Sequence, residues 1–156
     1  MVQGWPEVTD SFHLRNAGVD DATEIARLAD ELGYPATAME IAARLALLLS
    51  QAHHHVMVAD SDGALLGWIA VERRLTLESG ERIEIVGLVV SAATKRGGIG
   101  RALVTDAERW ALAQGFDSIT VRSNVARTES HPFYERLGYV RRKTQHAYSK
   151  SLRAMN

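Results

Sequence analysis

The chain has 156 residues, 46% of them apolar and 24% charged, with a formal net charge of −1 and no cysteine. That length and composition suit one globular domain over residues 1–156, with 1–10 as a loose leading segment, and exclude collagen-like or disordered chains. The charge balance gives no general attraction for nucleic acid, and the missing thiols exclude disulfides, thiolate zinc sites and a cysteine nucleophile.

Residues 11–16 read as a short strand. Asp21-Ala-Thr-Glu24 matches a capping box and opens an amphipathic helix with Ile25, Leu28, Ala29 and Leu32 on one face, stopped by Gly33. Thr37-Ala-Met-Glu40 repeats that start signal ahead of a second helix, which carries Ile41, Leu45, Leu48 and Leu49 to about Ser50. Apolar strand runs at 55–59 and 65–71 flank the hairpin signal Asp60-Ser-Asp-Gly63, and Glu78-Ser79-Gly80 marks a turn before a strand at 83–90.

After Gly97-Gly98 the apolar period becomes helical, with Ile99, Leu103, Ala107 and Trp110 on one stripe and Gly115 as the stop. Residues 118–121 predict a further strand, 132–137 a short helix ended by Gly138, and 139–152 two final strands around Arg141-Arg-Lys143. Hairpins alternate with helical crossovers in this order, which predicts an α/β or α+β fold with a mixed sheet. No run approaches about 18 uninterrupted apolar residues, so neither a membrane span nor a secretory segment is expected, and the expected location is the cytoplasm.

The segment Lys95-Arg-Gly-Gly-Ile-Gly100 sits between a strand and a helix. A helix N-terminus leaves backbone N–H groups unpaired and carries about half a positive charge, so it receives phosphate without a special side chain. Gly97, Gly98 and Gly100 remove β-carbons from the approach, while Lys95, Arg96 and Arg101 add positive charge. The alternative is a plain glycine turn joining strand to helix. The segment is neither a Walker loop nor a complete dinucleotide fingerprint, because the required Lys-Ser/Thr and third glycine are missing.

His53-His-His55 looks like metal-binding material, but neighbouring strand residues point to opposite faces, so no metal is expected. Trp68 and Trp110 fall in apolar patterns and read as core.

In its loop, and in the stretch Phe133-Tyr-Glu-Arg-Leu-Gly-Tyr139, the sequence resembles the GNAT superfamily of N-acetyltransferases, whose loop motif is Gln/Arg-x-x-Gly-x-Gly/Ala. Lys95 departs from the usual Arg or Gln and lacks the planar fork. The resemblance runs from about Phe12 to Leu152. It implies a mostly antiparallel sheet of about seven strands flanked by four helices, and acetyl-CoA as cosubstrate.

It also implies that backbone groups of Leu88, Val89 and Val90 pair with the pantetheine arm beside a strand bulge, and that Lys95, Arg96, Gly97, Gly98, Ile99, Gly100 and Arg101 hold the pyrophosphate. Tyr134 is expected to sit near the coenzyme sulfur, Asn124 and Arg127 to orient the coenzyme or cap backbone donors, and His131, a minor site candidate in the first turn of the short helix, to relay a proton or serve packing and hydrogen bonding.

An amine attacks a thioester only when neutral, so a base or a water chain is needed. Glu84 lies in the apolar run 83–90, at the position of the base in histone-acetylating relatives, and is the leading candidate; Glu81 and a water chain are the alternatives. Tyr134 is expected to donate to the departing thiolate.

The predicted activity is acetyl transfer from acetyl-CoA to a primary amine by direct attack through a tetrahedral intermediate. A small amine near Asp30, Glu31, Glu78 and Glu81 is the expected acceptor. A protein lysine or N-terminus is the alternative acceptor, and a non-catalytic acetyl-CoA sensor the alternative class. Homodimerisation is implied by the resemblance; nucleic-acid and membrane partners are not expected.

Overall fold

The computed structural model describes residues 11–94, 97–123 and 130–153. The chain divides into two compact units, one ending at Arg122 and the other starting at Ser123.

In the first unit the order is β1 (His13–Asn16), α1 (Ala22–Glu31), α2 (Ala38–Leu49), β2 (His54–Ser61), β3 (Ala64–Thr76), β4 (Gly80–Val90), α3 (Ile99–Ala113) and β5 (Thr120–Val121). The strands form one sheet in the order β1-β2-β3-β4-β5. All neighbours are antiparallel except β4 and β5, which α3 joins as a parallel crossover.

Each face of the sheet carries a helical layer. Val56 and Val58 of β2 pack with Ile25 and Leu28 of α1 and Leu45 of α2, and Trp68 and Ala70 of β3 border that cluster. Residues one position out of step face the other way. A β-carbon on Gly67 would lie 2.8 Å from the Val89 carbonyl oxygen, 3.1 Å from Ile99 and 3.2 Å from Leu103, so α3 covers that face at close range. His55 points to the same side, where it stacks on Trp110 and bonds Asp106 at 2.8 Å.

Local signals account for the element ends. Thr37 accepts from the Glu40 N–H at 3.0 Å while Glu40 accepts from the Thr37 N–H at 2.9 Å, a reciprocal capping box. Gly115 closes α3 in the left-handed region with Gly115 N–H to Leu112 and Phe116 N–H to Ala111, and α1 and α4 close the same way on Gly33 and Gly138. The β2–β3 hairpin turns on Asp62 and Gly63, both at positive φ as a two-residue primed turn requires.

The expected capping box at Asp21 is not formed, although α1 begins where predicted. The Asp21 carboxylate instead takes two bonds from Arg15, at 2.8 and 2.9 Å, and the Gly18 N–H at 2.8 Å, while Glu24 accepts from Arg27 and from the Leu65 N–H. A guanidinium is a stronger donor to a carboxylate than a neutral backbone N–H, so the ion pair wins.

The second unit holds α4 (Ser130–Arg136). The expected strands over 139–152 are absent among the described residues, so the sheet has five strands there rather than about seven. Alternation specifies two faces, but a strand exists only where a neighbour takes its N–H and C=O groups. Val140, Tyr148 and Leu152 are instead exposed.

Arg15 also bonds Asp60 at 2.9 Å, so one guanidinium ties β1, the entry to α1 and the end of β2 together. The Arg15 hydrogen bond is the main cause holding both aspartates below their ordinary range. Depressed carboxylates contribute stability that is full above the unfolded value, about pH 4, and lost as pH falls through the native values. Arg15→Met should therefore lower the urea midpoint at neutral pH and flatten its decline below about pH 4. An unchanged acid limb in the variant would refute this linkage.

Candidate functional site

Strand β4 is supported unequally by its neighbours. β3 pairs it along its whole length, whereas β5 pairs it only at Glu84↔Thr120 and Ile85↔Val121. Beyond Ile85, the β5-facing edge has no strand partner among the described residues. The register slips there too, because Ala70 faces Gly87 while Val71 faces Ile85, which makes the exposed Val86 an extra, bulged residue. Leu88, Val89 and Val90, the residues expected to bind the pantetheine arm, lie on this one-sided stretch.

The strand leads through Ser91 and the turn Ala92–Thr94 to the glycine loop. Ser91 is buried, its N–H bonded to the Leu66 carbonyl at 2.8 Å, and the Gly97 N–H bonds the Thr94 carbonyl at 3.2 Å. Gly98 is the N-cap of α3 at φ 80, a left-handed conformation, and among the described residues beyond its chain neighbours no atom lies within 4 Å of the β-carbon it lacks. Ile99 is buried and anchors the first turn of α3, while Arg101 is exposed. Lys95 and Arg96 lie outside the described residues.

Glu84 is buried, 5% of its side chain being exposed, and three arginines surround it. Arg74 of β3 reaches both carboxylate oxygens at 3.5 Å, Arg82 of β4 approaches at 3.5 Å, and Arg122 just after β5 at 3.4 Å. Arg74 also contacts Glu72 at 3.3 Å, and His54 lies 3.9 Å from Glu72. Burial is the main cause lowering the His54 pKa from its ordinary value. The cluster lies on the α1–α2 face of the sheet, in register across β2, β3, β4 and β5.

The other acidic residues expected near an acceptor have partners of their own. Glu81 is paired with Arg73 at 2.8 Å, which holds it below its usual range, and Glu31 bonds Arg27 and the Ala92 N–H at 3.1 Å each. Asp30 and Glu78 are exposed.

In the second unit Tyr134 sits on α4 with edge-on contacts to Phe133 and Tyr139, and His131 is half-buried on the same helix. Asn124 and Arg127 fall outside the described residues. Arg74, Arg82 and Arg122 were not anticipated as site residues. Their signal was present as same-face spacing in Glu72-x-Arg74 and Arg82-x-Glu84, but bringing them together required the strand register.

A family model described as the acetyltransferase (GNAT) family matches residues 19–139. The chain belongs to that family and is an acyltransferase of its type; the family uses acetyl-CoA. Among solved structures, the chain is similar to aminoglycoside N-acetyltransferase AAC(6')-Iy in complex with CoA, at 18% identity and TM-score 0.79, over 92% of this chain and 99% of that one. It is also similar to the aminoglycoside 6'-N-acetyltransferase AAC(6')-IG from Acinetobacter haemolyticus, at 18% identity and TM-score 0.78, over 90% and 99%. A transcriptional regulator from Bacillus halodurans aligns at 22% identity and TM-score 0.74, over 90% and 99%. At these identities the likeness is one of fold, which proteins of different function share.

Two glycines make a test of this geometry. Gly98→Ala meets open space and should cost about 1 kcal/mol from backbone strain alone. Gly67→Ala drives a methyl against the Val89 carbonyl and should cost about 3 kcal/mol. Urea denaturation ranks them; equal losses would contradict the close β3–β4–α3 approach.

Proposed function

We propose that the protein transfers the acetyl group of acetyl-CoA to a primary amine, with a small molecule as the acceptor. The observation that carries this reading is the junction of a β4 edge without a strand partner past Ile85 among the described residues with a left-handed Gly98 cap that has no side-chain cap bond. A diphosphate fits there, because helix N-termini bind anions through unpaired N–H groups and the missing β-carbons leave room for close approach.

In this proposal the N–H groups of Gly98, Ile99, Gly100 and Arg101 receive the pyrophosphate, with Gly97, whose own N–H is held by Thr94, leaving room beside it and charge coming from Lys95 and Arg96. Main-chain groups of Leu88, Val89 and Val90 align the pantetheine arm along β4, much as an added strand would. Bound there, acetyl-CoA supplies an activated acyl carbon. Asn124 is assigned to orienting the coenzyme, as the family pattern implies, and Arg127 and His131 are assigned to the same region from their sequence positions just before and within α4.

The chain's remaining task is proton movement. Glu84 is the proposed acceptor of the amine proton, held in place by Arg74, Arg82 and Arg122 and passing the proton on to water. Tyr134 is the proposed donor to the leaving thiolate, where it stabilises charge that develops during transfer. The absence of cysteine leaves no thiol for an acyl-cysteine enzyme, in keeping with direct attack by the amine.

Thiol release across a panel of amines tests the proposal. Glu84→Gln should lower kcat by about a hundredfold, the scale of a general base. Tyr134→Phe should lower it by about tenfold or more, with acetyl-CoA affinity retained by calorimetry in both variants. Full turnover in either variant would remove that residue from the mechanism, and an absence of acetyl-CoA binding by the wild type would overturn the reading.

A further inference from the structure

The arginine cluster around Glu84 has more positive charge and more donors than its own carboxylates use. Three guanidiniums, each with five N–H groups, meet Glu84 and Glu72, leaving one positive charge in excess among the described residues. The contacts to Glu84 are long, 3.4 to 3.5 Å, where a well-formed charged pair closes to about 2.8 Å. The Arg82 Nε is buried and has no hydrogen-bond partner among the described residues. An unsatisfied buried guanidinium donor carries a desolvation cost, which an incoming oxyanion would offset.

The cluster is also open to solvent. The Arg122 side chain is 61% exposed, and Arg74 and Arg82 are about one-third exposed at 32% and 30%. It lies on the α1–α2 face, next to the Val86 bulge. Glu84 is six residues before Val90, roughly 20 Å along the strand from the end that leads to the glycine loop. The pyrophosphate proposed for that loop therefore does not reach it.

We propose that this arginine triad binds an oxyanion carried by the acceptor, so that the preferred acceptors are amines bearing a carboxylate or a phosphate near the reacting nitrogen. This rests on the acetyl-transfer reading and narrows it to a substrate class. Guanidinium forks match both planar carboxylates and phosphates and fix the acceptor's orientation. A polycationic acceptor meets like charge at this cluster, and Glu81 and Glu31 are already paired with Arg73 and Arg27. The acceptor class is thus opposite in charge to the aminoglycosides named for the structurally similar enzymes.

The test compares amino acids with their amides and with aminophosphonates, first by calorimetry on the CoA-bound protein and then by thiol release. Wild type should favour the acid or phosphonate over the amide by about tenfold or more, the scale of one charge-assisted hydrogen bond. The relative response to carboxylate and phosphonate identifies the oxyanion. Arg122→Gln, at the exposed corner, should collapse that preference in the binding measurement, and Arg122→Lys should restore part of it.

Equal binding of acid and amide by wild type, or a preference left intact in Arg122→Gln, would overturn the proposal. So would a loss confined to CoA affinity, which would assign the triad to the coenzyme. Preferential oxyanion binding without thiol release would support the anion site and sink the transfer reading instead.

Discussion

The proposed chemistry depends on β4 being paired on one side for its whole length and, among the described residues, on the other for only two residues. A central strand with two full ladders has no main-chain groups to offer a ligand. One released from its neighbour midway keeps its position from β3 while offering a row of backbone donors and acceptors. The bulge at Val86 coincides with the point of release, and bulges bend a strand and add twist where pairing ends. Support on the β3 side comes from the contact at Gly67, where strand, strand and α3 meet too closely for any β-carbon. The same contact seats Ile99 and thereby the first turn of the helix that follows the glycine loop.

A second constraint is electrostatic. Burying Glu84 away from water demands positive partners, and β3, β4 and the residue just after β5 each deliver one within 3.5 Å. The arrangement over-compensates: three guanidiniums meet two carboxylates, and the buried Arg82 Nε has no hydrogen-bond partner among the described residues. Elsewhere the carboxylates are in excess, two to one arginine both in the Arg15–Asp21–Asp60 knot and in the Arg27 pairs with Glu24 and Glu31. That contrast marks the Glu84 cluster as a place where stability was not the only demand. The family match fixes the class of reaction, while solved structures at 17–22% identity share the fold and carry different named roles.

Helix starts and stops were largely legible because their causes are local. Thr37 with Glu40, and the glycines at 33, 115 and 138, act through bonds spanning a few residues. The strand–glycine–helix loop was legible for the same reason. The Asp21 cap was misread because Arg15, six residues earlier and on another element, competes for the same carboxylate. Over 139–152, alternation was read as two strands, but a pattern of faces does not provide a pairing partner.

What the amino-acid order determined by itself, then, is whatever is settled within about one turn or one hairpin: caps, glycine closures, the Asp62-Gly63 turn and the left-handed Gly98 cap. Only the tertiary structure decided that Arg74, Arg82 and Arg122 meet on Glu84, and that β4 has no strand partner on its β5 side past Ile85 among the described residues. The reason is register: a strand's side chains alternate between faces with a period of two, so a slip of one residue would send those arginines to the α3 side. Nothing within any one strand records which of its neighbours it will face.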